Sequence, residues 1–310
     1  MIGPLIFTFV LLALGAAALW GLSLRDDDVS IVDIGWGLGV VLVTWVALAH
    51  SYPTERHWLL AILVTLWGVR LSGHLYLRHE GEDTRYQRIR DRHGDAFRYS
   101  SMYLVFGLQA ALLWFIALPL QICELTDPHP SPELGTLDSL GMVLFFLGFA
   151  IETGADVHLY LWKRDPANLG KVLDAGLWKY SRHPNYFGEI LVWWGFYFVA
   201  AASGWAAIGI WSPILVAYLL LKVSGIPALE AELGARKRDY ASYIARTSML
   251  IPMPPKPEAP TLVQLDVDEE ADTAEQNKPK FKQRPPEAIE PIDLDPTIDL
   301  GDEFDRSNRG

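Results

Sequence analysis

"SMYLVFGLQAALLWFIALPLQIC", Ser101–Cys123, carries no charged side chain. A helix rising about 1.5 Å per residue over that length crosses the ~30 Å hydrocarbon core of a bilayer. Leu5–Leu24 and Ser203–Leu221 are equally free of charge. Four further stretches carry one acid or one strong base each: Ile31–His50 with Asp33, Trp58–Leu77 with Arg70, Leu134–Ile151 with Asp138, and Tyr186–Ala202 with Glu189. Seven such runs in succession predict an all-α, polytopic membrane protein with seven transmembrane helices. The first run is read as a span, since it has no basic n-region and no cleavage pattern and is too long for a signal peptide.

Charge is unevenly placed along the 310 residues, whose formal net charge is −11. From Pro252 onward there are seven Lys/Arg and fifteen Asp/Glu, so most of the acidity belongs to the C-terminal segment. That segment is rich in Pro, Asp and Glu and poor in aromatics, a composition that cannot bury enough surface to fold. The chain is therefore divided into a membrane domain, 1–251, and a disordered acidic tail, 252–310. Basic residues cluster in Arg78–Tyr99, Lys163–Arg182 and Lys222–Arg246, whereas Ser51–His57 and Glu124–Gly135 are nearly free of them. With seven spans all three clusters fall on one side, which the positive-inside rule makes cytoplasmic. The N-terminus is then outside, the C-terminus inside, and a bacterial inner membrane is the expected location.

The arginines are interleaved with acids, which gives no nucleic-acid-binding stripe. Cys123 is the only cysteine, so no intrachain disulfide forms. No metal site is expected.

Ionisable groups inside a membrane face the bundle or a water-filled cavity. Asp33 and Arg70 are expected toward the cytoplasmic face, either as an ion pair or with Asp33, His74 and Tyr76 around a substrate cavity. Gly35, Gly37 and Gly39 allow close helix approach. Glu152, Asp156, Tyr160 and Lys163 are spaced to share one helical face. Pro184 suits the first turn of a helix, whose free N–H groups favour an anion or a polarised carbonyl. Asn185 and Glu189, four apart, share a face near that terminus, and Arg182 and His183 precede it. His183 is equally readable as a plain cap. The set suits a polyanionic cofactor with an amide-bearing ring. Tyr240 and Tyr243 are expected to pack an amphipathic helix on the membrane face.

"DPANLGKVLDAGLWKYSRHPNYFGEILVWWG", "LLKVSGIPALE", "YASYIARTSMLIPMPP", "DVSIVDIGWGLG" and "LWGVRLSGHLYLRHEGEDTRY" resemble patterns of the DUF1295 family, which is grouped with the steroid 5-alpha-reductase C-terminal domain family. The resemblance implies a seven-helix membrane enzyme that binds NADPH from the cytosol and delivers hydride to the β-carbon of a lipophilic enone or activated alkene while an acid polarises the carbonyl. By motif position it implies cofactor contacts from Asp156, Lys163, Arg182, His183, Asn185, Glu189 and Lys222. Lys163 and Lys222 stand where the reductases tend to have Arg, and Glu152 where the steroid enzymes carry Asn. Asp33, His74 and Tyr76 stand in regionally for the catalytic acids. The "RHPxYxG" core is shared with isoprenylcysteine carboxyl methyltransferases, so S-adenosylmethionine-dependent methyl transfer is the alternative. A non-enzymatic membrane protein that binds lipid is a third reading.

Overall fold

The computed structural model describes residues 1–126, 133–223, 225–237 and 239–257. The acidic tail read from the sequence lies, from residue 258 on, outside the described residues. Among those described, every regular element is helical: α1 (Ile2–Asp26), α2 (Ile31–Ala49), α3 (Glu55–Leu77), α4 (Thr84–His93), α5 (Phe97–Ser101), α6 (Leu108–Ile116), α7 (Leu118–Leu125), α8 (Thr136–Arg164), α9 (Pro184–Ala201), α10 (Trp211–Tyr218), α11 (Ile226–Arg236) and α12 (Tyr240–Arg246), with short 3₁₀ and π turns between some of them.

Six helical stretches are long and apolar enough to cross a membrane: α1, α2, α3, Thr84–Ile116, α8 and Trp205–Val223. The other predicted span is α9, of 18 residues, which carries Asn185 and Glu189 in its first turns and packs along α8. The outer faces are apolar, with Ile6, Leu14, Leu38, Ile62, Val69, Val143 and Leu147 all exposed. Such a surface is a liability in water and a match for lipid tails. α8 continues well past the predicted end at Ile151, to Arg164, so the Glu152–Lys163 stripe belongs to the spanning helix itself.

Between lipid-embedded helices the apolar drive is weak, and close packing at small residues takes its place. A Cβ on Gly188 would lie 2.5 Å from the Glu152 nitrogen and 2.6 Å from the Gly148 oxygen. Gly141 and Gly195 repeat the contact two turns away, where a Cβ on either would lie within 2.8 Å of the other's carbonyl oxygen. α2 and α3 approach in the same way at Gly37 and Gly68. These contacts set the helices' rotation as well as their spacing. At the centre Trp67 packs edge-on to Trp193 (5.4 Å between ring centroids) and Phe196 (5.7 Å), and Phe145 lies against Phe196.

Two polar layers lie on either side of this aromatic core. At one end Arg56 of α3 makes a bidentate pair with Asp138 of α8, Nε to Oδ1 at 2.8 Å and Nη2 to Oδ2 at 2.9 Å. Arg56 also donates to the Glu133 carbonyl, and the Gly135 N–H donates to Asp138. At the other end Arg70 of α3 meets Glu152 and Asp156 of α8. The predicted Asp33–Arg70 pair does not form, because α4 folds back over the end of α2 and supplies Arg85 to Asp33 instead (3.0 Å).

A strap formed by the segment after α12 fixes the approach to α9. The Arg182 N–H donates to Ser248 O (2.8 Å), Met253 N–H to Tyr180 O (2.9 Å), and the Ser181 hydroxyl to Leu250 O (2.7 Å). Tyr240 and Tyr243 do not lie on the membrane face. Both are 2% exposed, and the Tyr243 hydroxyl donates to Trp178 O at 2.6 Å. The loop before α9 offered them a buried place with a hydrogen-bond acceptor, which suits an aromatic ring with a polar tip better than a lipid surface.

Candidate functional site

Three helices each present a pair of polar residues four apart, and the three pairs converge. They are Arg70 and His74 on α3, Glu152 and Asp156 on α8, and Asn185 and Glu189 on α9. The spacing places each pair on one helical face, and the Gly148–Gly188 contact turns the α8 and α9 faces toward each other. Asp156 is the hub. Its Oδ2 accepts from Arg70 Nη2 (2.7 Å) and lies 3.7 Å from His74 Nε2, and its Oδ1 accepts from Asn185 Nδ2 (3.1 Å). Glu152 Oε1 accepts from Arg70 Nη1 at 2.6 Å, while its buried Oε2 has no partner. Glu189 makes no hydrogen bond or ion pair with the described residues.

These groups form one wall of a cavity of about 410 Å³. The facing wall comes from α2, α4 and α6. There the Tyr86 hydroxyl donates to Asp33 Oδ1 (2.7 Å), and Gln109 Nε2 donates to the Tyr86 oxygen (2.7 Å). Arg85 bridges Asp33 and Asp83. The apolar lining between them includes Trp36, Leu71, Leu112, Val216 and Leu220. Two π-helical turns adjoin the cavity, Met102–Gly107 directly before Leu108 and Leu219–Val223 within the lining. A π turn widens the helix by one residue and often marks a functional site.

The sequence-predicted residues separate. Asp156, Asn185 and Glu189 line the cavity together. Asp33 and His74 line it too, on opposite walls, because His74 joins Asp156. Tyr76 is 69% exposed and off the cavity, since its position on α3 turns it away from the Arg70–His74 face. Arg182 does not reach the cavity. Its guanidinium is spent on Glu230 (2.8 Å) and on the carbonyls of Ile244 and Thr247. His183 makes no side-chain cap. It is buried, stacked on Tyr186, with Nε2 3.0 Å from Glu230 Oε1, and desolvation holds its imidazole below the usual range against the opposing pull of Glu230. Lys163 and Lys222 are exposed and off the cavity wall. Arg78, exposed at the end of α3, does line the cavity, as does Arg85 of α4.

Sequence reasoning missed Arg78, Tyr86 and Gln109. Tyr86 ends one of the quoted family patterns, inside a basic cluster in which no helix is expected. Its signal was Asp83, whose side chain accepts from the Arg85 N–H and caps α4. That cap fixes a short helix whose Tyr86 ring packs with Val29, Val32, Phe97 and Phe106.

Could these residues hold a dinucleotide? The unpartnered Glu189 and the half-buried amide of Asn185 offer acceptors and a donor toward one space, as a ring carboxamide would require. Arg78, which also lines the cavity, would supply positive potential for phosphate.

No solved structure matches the chain. Among curated proteins it is similar to the uncharacterized protein C594.04c of Schizosaccharomyces pombe, at 26% identity over 215 residues, 60% of this chain. The chain spans 61% of that relative's length. The family described as a protein of unknown function, DUF1295, matches residues 19–247, which include both walls of the cavity, and the chain belongs to this family.

Proposed function

We propose that this protein is an integral-membrane reductase that takes NADPH from the cytoplasmic side and reduces the polarised C=C bond of a lipophilic substrate. The observation that carries this reading is the opposition, within one cavity, of the Asn185–Glu189–Asp156 wall and the Tyr86 hydroxyl held by Asp33 and Gln109. Bound NADPH supplies hydride, and the chain's own residues do the rest. Asn185 and Glu189 orient the carboxamide of the cofactor ring, because an amide donates and accepts while a carboxylate accepts from NH₂. Arg78 holds phosphate at the rim.

Tyr86 has one hydroxyl hydrogen, now given to Asp33. Gln109 grips the same oxygen from the other side, so the hydrogen can turn to a substrate carbonyl without the phenol leaving its place. The carbonyl is polarised as negative charge develops on it, which is where a fixed donor contributes most. Arg85 keeps Asp33 oriented through its second oxygen. The leucines and Trp36 between the walls exclude water and receive an apolar substrate.

The test is binding on purified protein, titrated with NADPH and with S-adenosylmethionine. NADPH binding that weakens in Asn185→Ala supports the reductase. One observation favours methyl transfer as the second reading: the excess of carboxylates on the wall would suit a sulfonium cation. Saturable S-adenosylmethionine binding without NADPH binding would establish that reading instead.

A further inference from the structure

We propose that the acidic wall makes this site bind the oxidised nicotinamide more tightly than the reduced one, and so promotes hydride release. The inference rests on the NADPH reading above. In the reduction, the C–H bond at C4 of the dihydropyridine breaks with both electrons, and a new C–H bond forms at the substrate's β-carbon. The alkene's π pair takes a proton from the medium through the donor side of the cavity. The substrate gains two electrons, and the cofactor ring, neutral before, is left with one positive charge. Interactions that favour this charge are stronger late in the reaction than early, and only such differential interactions speed the chemical step.

The wall is built for a cation. Glu152 and Asp156 share one guanidinium, Arg70, whose Nη atoms are engaged by Glu152 at 2.6 Å and by Asp156 at 2.7 Å, and Glu189 stands beside them. Glu152 is 2% exposed, and its Oε2 has no partner. Glu189 lines the same space and has no ion pair with the described residues. His74 stands against Asp156, and Arg78 lies two turns from Arg70 along α3, at the rim. Beside a neutral ring these acids hold protons, as carboxyls buried without a cation partner do. A ring cation lets a proton leave and pairs with the carboxylate it exposes, and charges a few ångströms apart away from water interact strongly enough to shift binding by more than tenfold.

The experiment compares Kd for NADPH and for NADP⁺ on the full chain in detergent, for the parent and for Glu189→Gln and Glu152→Gln. The parent is expected to bind NADP⁺ at least tenfold more tightly, which places the bound couple about 30 mV below the free one. Each substitution should erase most of that preference, through weaker NADP⁺ binding, with NADPH affinity changed about threefold or less. A parent with equal or tighter affinity for NADPH overturns the inference whatever the variants do. So does an unchanged ratio in whichever variant folds. If the parent binds neither nucleotide, the NADPH reading itself has failed, and the inference falls with it.

Discussion

α3 and α8 meet twice, and the two meetings differ in kind. Arg56 and Arg70 lie fourteen residues apart on α3, and Asp138 and Glu152 lie fourteen apart on α8, so the same pairing recurs four turns along two parallel helices. At the first, one arginine answers one aspartate, bidentate, with Asp138 0% exposed and further bonds from Gly135 and to Glu133. At the second, one arginine answers two acids, a third stands beside them, and a buried oxygen is left over. The closed pair is a fastening between helices. The open cluster is short of positive charge, and a cavity lies against it. Complete pairing marks the fastening, and incomplete pairing beside a cavity marks the candidate site; Glu124, 0% exposed with both oxygens unpartnered and off the cavity, shows that incomplete pairing alone does not.

The largest effect should come from breaking the closed pair. Arg56→Ala strands a carboxylate with no route to water and should cost about 3–5 kcal/mol. Thermal unfolding in detergent reads this, and Arg56→Met with Asp138→Leu should recover most of it. A tolerated single substitution would mean that water reaches Asp138. Second is the packing beneath the open cluster. Gly188→Ala pushes backbone against backbone and should cost roughly 1–3 kcal/mol, while displacing Glu189 from Glu152. Weaker ligand binding than the stability loss accounts for would confirm that helix spacing sets the site.

Arg70→Gln should cost less than Arg56→Ala, about 1–3 kcal/mol, because the acids it leaves face a cavity. Glu152→Gln should be neutral or stabilising within about 1 kcal/mol, since it removes charge from an over-acidic group. A cost as large as that of Arg56→Ala would erase the distinction drawn here. The smallest effect concerns pH and His183. Its folded-state pKa is lowered, mainly by desolvation, so the neutral form is the one the fold prefers. Stability from this group is present above the unfolded value near 6.5 and is lost as pH falls through the lowered folded value. His183→Gln should flatten the acid limb of a stability–pH profile without altering its neutral plateau.

Much of the bundle was legible because its evidence is local. Charge-free runs marked the spans, Pro184 marked the start of α9, and residues four apart marked the faces that line the cavity. What the spacing could not state was which faces meet. Arg70 was matched with Asp33 because both lie toward one membrane face, but helix order around the bundle gave Arg70 to α8 and Asp33 to α4. The same ignorance of neighbours made Arg182 look available for phosphate, when Glu230, distant in sequence, claims it. Tyr86 escaped because a short amphipathic helix inside a basic segment carries a weak signal beside twenty-residue apolar runs.

The strap has a consequence in time. The approach to α9 is held by the Arg182 N–H and the Ser181 hydroxyl, which donate to the Ser248 and Leu250 carbonyls. Those partners are synthesised 64 and 66 residues after Pro184, a delay of roughly 3–13 s at ordinary translation speeds. Through that interval α9 can already sit in the bilayer with Asn185 and Glu189 unfixed, so the chain becomes an inserted protein before it becomes a competent one. A nascent chain stalled short of Ser248 should therefore be membrane-integrated with the start of α9 unheld, and synthesis of the strap is the step that fixes it.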